Sequence, residues 1–225
     1  FAIIDAEVDQ PNVSSYTFAE HEGAYLMGVI AAMASDSDVI GFIGGMDIPL
    51  VRRYSTAFEQ GVLATNANAE VLVNMTGTTP AAWNDPVKGA ELANSQIAQD
   101  ADVIFAVAGG TGLGVLQAVA DAGILGIGVD SNQNYLHPGN VLTSMLKRVD
   151  NAVYNSFVEA GDDATFPPGR RDLGLADEGV DYALDENNAD LITDEMKAKV
   201  DELKAGIIAG DVMVHDYYSD NDCPL

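Results

Sequence analysis

The stretch DVIFAVAGGTGLGVLQAVADAGILGIGVD, residues 102–130, decides the fold. An apolar run of strand length (102–108) turns through a glycine cluster, continues as a helix from about Gly114 to Ala122, and returns to a second apolar run (124–129). Strands that are apolar on both faces belong to parallel sheets covered by helices. A strand, a helix and another such strand form one right-handed crossover unit. The alternation extends outward in both directions: FAII (1–4), VIGFIG (39–44), EVLVNM (70–75) and NVLTSM (140–145) are further strand candidates. The expected class is therefore α/β, with a doubly wound, mainly parallel sheet.

Helices are expected between these strands. Thr17 and Glu20 have the spacing of a capping box, and Phe18, Tyr25, Val29 and Met33 follow at helical intervals. Pro49 opens a helix with Val51, Tyr54, Phe58 and Val62 on one side, and Asp47 is a candidate cap for it. Asp85 and Pro86 give an N-cap and a first-turn proline for a helix through Ile97. Another helix spans Val149 to Ala160. Beyond it, residues 161–190 are rich in acids and turn formers, with RRDLGLA and GVDYAL as short strand candidates. A last helix starts near Thr193, carries Met196, Val200, Leu203 and Ile207 on one face, and stops at Gly210, leaving HDYYSDNDCPL as loop.

Charge narrows the function. Thirty-five acidic residues stand against ten basic ones, a formal charge of −25 over 225 residues. No basic patch is available for a phosphate backbone or an anionic membrane. The acids read either as solvated faces suited to a saline medium or as a patch for a cationic ligand. No apolar stretch approaches the ~20 residues of a membrane-spanning helix. FAIIDAEVD reads as a strand and not as a signal peptide, so any export signal is expected to have been removed or to lie outside this chain. The single cysteine, Cys223, has no intrachain partner, and His21, His137 and His215 lack the spacing of a metal site. No metal and no cofactor is expected.

Asp130 closes one strand and Lys147 lies beside the end of another. In open α/β sheets ligands bind at the carboxyl ends of strands. A carboxylate and an ammonium facing one crevice can hold the hydroxyls of a sugar-like ligand through charge-assisted hydrogen bonds. No nucleophile–base pair accompanies them, so the expectation is binding without catalysis and without catalytic residues. The turn AVAGGTGLGV (106–115) has three readings: a ligand-contacting turn, a structural turn, or a dinucleotide site with Asp130 on the ribose. Its glycines at 110, 112 and 114 do not have the dinucleotide spacing. Trp83, the only tryptophan, stands in a polar loop before a helix and is either a core residue or a stacking surface for a planar ring. Arg52 and Arg53 are expected to pair with carboxylates.

In order along the chain, EHEGAYLMGVIAA (20–32), GFIGGMDIPLVRRY (41–54), WNDPVKG (83–89), AGGTGLGV (108–115), GVDSNQ (128–133) and SMLKRVDNAVY (144–154) resemble the basic membrane protein family of ABC-transporter substrate-binding proteins, whose best understood members are purine nucleoside receptors. The resemblance implies the type I periplasmic-binding-protein fold: doubly wound parallel sheets in two lobes joined by hinge strands, with the family's opening third, and so part of the first lobe, absent here. It implies residues 1–130 in the second lobe, 131–165 contributing to the first, and 166–225 returning to the second. It also implies ligand contacts. Asp130 and Lys147 would hold ribose hydroxyls, Gly109 would offer a backbone group, Trp83 would stack on the base, and Asp5 would reach the ligand. The implied function is capture of a nucleoside, with a purine expected, for an ABC transporter permease. The protein would be monomeric and either periplasmic or lipid-anchored at the outer face of the cell membrane. A nicotinamide-dependent oxidoreductase using the Gly109–Gly114 turn and a regulatory ligand sensor on the same fold remain the alternatives.

Overall fold

A computed structural model describes residues 1–162 and 167–223. Strands β1 (Ala2–Ile4) and β2 (Ser14–Phe18) lead into helix α1 (Glu20–Ala34), followed by β3 (Val39–Met46), α2 (Pro49–Thr65), β4 (Glu70–Gly77) and α3 (Pro86–Ile97). Then come β5 (Val103–Val107), α4 (Gly112–Ala122), β6 (Leu125–Asp130), β7 (Val141–Lys147) and α5 (Val149–Ala160). The chain ends with β8 (Gly169–Leu173), β9 (Val180–Tyr182) and α6 (Asp194–Ala209). Six strands form one sheet in the order β4-β3-β5-β6-β7-β9, and three form another in the order β1-β2-β8. All pairings are parallel except β7 with β9.

The large sheet is covered on both faces because its central strands β3 and β5 are apolar or glycine at every position. Phe42, Val103, Phe105, Val107, Ile127 and Val129 point to the side of α1 and α2. Their neighbours Ile43, Ile104 and Ala106 point to the side of α3 and α4. This is the period-two alternation of a strand. Phe42, Phe58 and Phe105 form an aromatic cluster with ring centroids 5.2–5.9 Å apart. The caps expected for α3 and α6 are present: Asp85 accepts from the Lys88 amide at 3.0 Å, and Thr193 from the Met196 amide at 3.2 Å. Gly210 ends α6 in the left-handed conformation.

Several expectations are corrected. Thr17 does not cap α1. It lies in β2, a strand that its polar sequence SSYTF concealed, and its hydroxyl bonds the Arg171 carbonyl and Asp172 of β8. Asp47 does not cap α2, because Arg52 holds it in a two-point ion pair at 2.7 and 2.8 Å. α4 starts at Gly112, slightly before the expected Gly114. β7 continues the large sheet beyond residue 130, and β1 and β2 join β8 in the small one. β7 stays because its run is as apolar as β6 and pairs with it in parallel. Residues 163–166 of the acidic, turn-rich stretch lie outside the described residues.

Candidate functional site

Parallel strands bring their carboxyl ends to one edge, and the candidate residues are found there. Asp5 follows β1, Gly109 follows β5, Asp130 ends β6, Lys147 ends β7, and Trp83 closes a 3-10 turn after β4. All five, Asp5, Trp83, Gly109, Asp130 and Lys147, line one cavity of about 200 Å³ between the two sheets. Leu50, Val51, Tyr54, Val107 and Val129 complete its apolar walls. A more open cavity of about 500 Å³, lined by Ser131, Asn132, Leu146, Arg148, Val149 and Asp150, shares Asp130 and Lys147 with the first.

Backbone geometry at this edge is unusual. Asp5 (φ 60°), Asp130 (φ 67°) and Gly109 (φ 55°) all adopt the left-handed conformation. Non-glycine residues seldom do so, although aspartate tolerates it better than most. Such strain clusters at ligand sites, where the surrounding structure holds it in place. At Asp130 the reversal turns the chain out of β6 while the Gln133 side chain bonds back to the Val129 amide at 2.9 Å.

Lys147 is almost fully enclosed. Its ammonium meets the Asp5 carboxylate at 2.5 Å and Glu20 at 3.1 Å, and lies 5.1 Å from the centre of the Phe18 ring. An ammonium has three donors, so one remains for the cavity. Burial acts to lower its pKa, but Glu20, Asp5 and Asp130 outweigh that and hold it above the ordinary lysine value. The Asp130 carboxyl is pushed up by burial, against the pull of Lys147 and with a further push from Asp5. The residue is open to solvent at the cavity mouth, yet protein crowds its carboxyl from behind. Among the described residues no group hydrogen-bonds that carboxylate. Two acceptor oxygens thus face the cavity beside a fixed cation, an arrangement suited to vicinal hydroxyls.

Trp83 is placed by its surroundings. Thr111 accepts from the Asp85 amide at 2.7 Å and donates to the Ala82 carbonyl at 2.7 Å, tying the tryptophan turn to the glycine turn. Thr76 adds a bond to the same carbonyl at 2.9 Å. The indole lies over Gly45, where a Cβ would come within 2.4 Å of the ring. The glycine turn itself is mostly occupied by packing: a Cβ at Gly114 would fall 1.8 Å from the Pro86 carbonyl of α3. Only Gly109 of this turn lines the cavity, which leaves little access for a pyrophosphate.

Glu20, whose spacing from Thr17 is that of a capping box, instead belongs to the site. It is 1% exposed and its two oxygens contact Lys147 and Arg53. Val51 and Tyr54 were legible only as the apolar face of α2. Burial, with added pushes from Asp130, Glu20 and Asp5, keeps Tyr54 protonated. His21, beside this cluster, is held neutral down to about pH 4 by burial and by Arg53.

An α/β fold with parallel sheets and a cavity at their carboxyl edge is the architecture of solute-binding proteins, and solved structures bear this out. An ABC transporter solute-binding protein from Aeropyrum pernix K1 superposes with a TM-score of 0.82 at 29% identity, over 94% of this chain and 69% of that one. A transcriptional activator of the comK gene from Bacillus halodurans, at 23% identity and TM-score 0.82, covering 96% of this chain and 72% of its own, shares the fold. The chain belongs to the Bmp family, ABC transporter substrate-binding proteins of the PnrA-like type, whose profile matches residues 1–216. Relatives include a CD4+ T-cell-stimulating antigen of Listeria monocytogenes, 35% identical over 95% of this chain and 63% of its own length. The ABC transporter nucleoside-binding protein BmpA of Lactococcus lactis is 34% identical over 95% of this chain and 64% of its own. The chain thus spans a little under two thirds of these relatives. Among the described residues no helix is long and apolar enough to cross a membrane.

Proposed function

We propose that this chain forms the ligand-binding part of a non-catalytic receptor that captures a nucleoside, with a purine preferred, and delivers it to an ABC transporter permease outside the cytoplasmic membrane. The observation that carries the reading is the convergence of Asp5, Trp83, Gly109, Asp130 and Lys147 on one cavity. In this reading Asp130 and Lys147 hold the ribose hydroxyls, Asp5 orients the ammonium and reaches the sugar, Gly109 offers a backbone group, and Trp83 presents an aromatic surface to the base. About 200 Å³ suits a sugar but falls below the roughly 300–1,000 Å³ of drug-sized sites. The adjoining cavity of about 500 Å³, on the same two charged residues, supplies the remaining room. Closure of the two lobes would then complete the enclosure. Family membership and the printed function of the Lactococcus lactis relative support the same ligand class. As a substrate-binding protein it would be monomeric, periplasmic or lipid-anchored, and would need no cofactor.

Titration calorimetry of the full-length protein with adenosine, guanosine, inosine and uridine tests this. At least one purine nucleoside should bind in the micromolar range or tighter. Binding of NADH with no nucleoside affinity would transfer the site to the nicotinamide-enzyme reading.

A further inference from the structure

Behind the cavity the contact of Glu20 with Lys147 continues into a longer chain of charges. Arg53, on the first turns of α2, is 1% exposed. One of its nitrogens meets Glu20 at 2.6 Å and also bonds the Phe18 carbonyl. Its other edge forms a two-point pair with Asp216, both contacts at 2.7 Å, and its guanidinium stacks 4.7 Å from the centre of the Tyr218 ring. Asp216 lies in the segment after α6 and accepts the Tyr218 amide at 3.0 Å, which shapes the turn Tyr217–Ser219. His215 is fixed alongside by two bonds with Gln60 of α2, at 2.9 and 3.2 Å. A continuous path therefore runs from Asp216 through Arg53 and Glu20 to the Lys147 ammonium.

The geometry points to Glu20, Arg53 and Asp216 as positioning residues that set the place of the Lys147 ammonium in the cavity, with the segment after α6 as their anchor. A lysine side chain is a flexible stem carrying a point charge, and without fixed partners its head would distribute over several rotamers. Glu20 removes that freedom, but a single carboxylate can rotate. Arg53 holds its second oxygen through one terminal nitrogen, and the two-point pair with Asp216 on the other edge fixes the plane of the guanidinium. Without Asp216, Arg53 would keep Glu20 as its one close carboxylate partner, since Asp172 stands 4.0 Å away. The group counts two cations, Arg53 and Lys147, against three anions, Glu20, Asp5 and Asp216, with Asp172 at 4.0 Å from Arg53. Removing the Asp216 charge shifts Arg53 further onto Glu20 and loosens the grip of Glu20 on Lys147. None of the three residues lines the cavity, so each acts through Lys147.

The inference rests on the receptor reading for its affinity arm and is independent of it in a second arm. In the first, inosine affinity is measured by calorimetry for the full-length protein, Asp216→Asn, Glu20→Gln, Lys147→Gln and the double variants. Asp216→Asn should weaken binding about tenfold, a size typical of residues coupled through one ion-pair network. In the Lys147→Gln background the same change should alter affinity less than about twofold. Equal losses with and without Lys147 would overturn the proposal, as would no loss at all. In the second arm the lysines are reductively 13C-methylated and followed by NMR without ligand. Asp216→Asn should move the Lys147 signal and leave that of Lys204, paired with Asp181 at 2.6 Å, in place. An unmoved Lys147 signal sinks the proposal whether or not nucleosides bind. Failure of the wild type to bind any nucleoside, with the Lys147 signal shifted, would sink only the receptor reading.

Discussion

At the scale of single residues the site trades stability for function, and Asp130 shows how. Its pKa is raised by burial, so the folded state favours the protonated form and ionisation works against folding. The linkage sign follows: stability falls as pH rises from the ordinary carboxyl range through the raised folded value, and at neutral pH the charge is a net cost. Asp130→Asn should therefore leave the thermal midpoint unchanged or raise it. The same change should weaken nucleoside binding by about 1.5–3 kcal/mol, the usual size for bonds to a charged group. Calorimetry and melting on one variant check both, and a lower midpoint with unchanged affinity would reassign Asp130 to a structural role. Asp130 and Lys147 were legible in the sequence because each stands at the end of an apolar run. Glu20 was not, because an acid at the first helical position reads most simply as a capping residue, and its partners Arg53 and Lys147 lie 33 and 127 positions away along the chain. Asp216 lay in a tail with no periodicity from which a partner could be read.

At the scale of elements, legibility followed periodicity. The strands of the large sheet and the helices between them were visible because each is a long apolar or amphipathic run. β2 was missed because its buried polar residues are satisfied by distant backbone: Ser15 accepts the Val8 amide at 3.0 Å, and Ser14 bonds the Pro167 carbonyl. A short polar strand between two others carries no alternation to detect. The pairing of α1 with α2 depends on another feature without periodicity. A Cβ at Gly28 would fall 2.1 Å from the Phe58 carbonyl, and one at Gly61 would fall 2.1 Å from the Tyr25 carbonyl, so each helix uses a glycine to admit the other's backbone. Gly28→Ala gains about 1 kcal/mol of helix propensity. It also drives a methyl into a backbone that cannot rotate away, and overpacking of a tight core costs about 1–3 kcal/mol or more. The second effect should win, lowering the midpoint by several degrees. Because α2 carries Leu50, Val51, Tyr54 and Arg53, nucleoside affinity should fall along with it. A midpoint at or above wild type would mean that the two helices separate easily.

For the whole molecule the deciding quantity is charge. Every one of the ten basic side chains lies within 4.0 Å of a carboxylate: Lys88, Lys147, Lys197, Lys199, Lys204 and the arginines at 52, 53, 148, 170 and 171. With 35 acids against 10 bases, 25 negative charges have no compensating cation. Many stand on exposed surface, as Glu195 and Asp201 do on α6. Added salt screens two opposed effects. Exposed ion pairs contribute about 0–1 kcal/mol each, and those of Arg52, Lys88, Arg148, Arg170 and Lys199 are exposed on both sides, so each has little attraction to lose. The enclosed pairs around Arg53 and Lys147 are screened far less. Repulsion among the unpaired acids acts over many distances, and most of it is removed as the screening length shortens from about 30 Å at 0.01 M to about 10 Å at 0.1 M and 3 Å at 1 M. Relief of repulsion should therefore dominate, and the thermal midpoint should climb with NaCl. The steepest gain should come below about 0.5 M, where screening changes most, ahead of the weaker strengthening of apolar burial at high salt. Calorimetric melts from 0.01 to 1 M NaCl at pH 7 read this directly. A midpoint that stays flat below 0.5 M would show that the acids are spaced widely enough to ignore one another, and the surface would then carry no adaptation to saline surroundings.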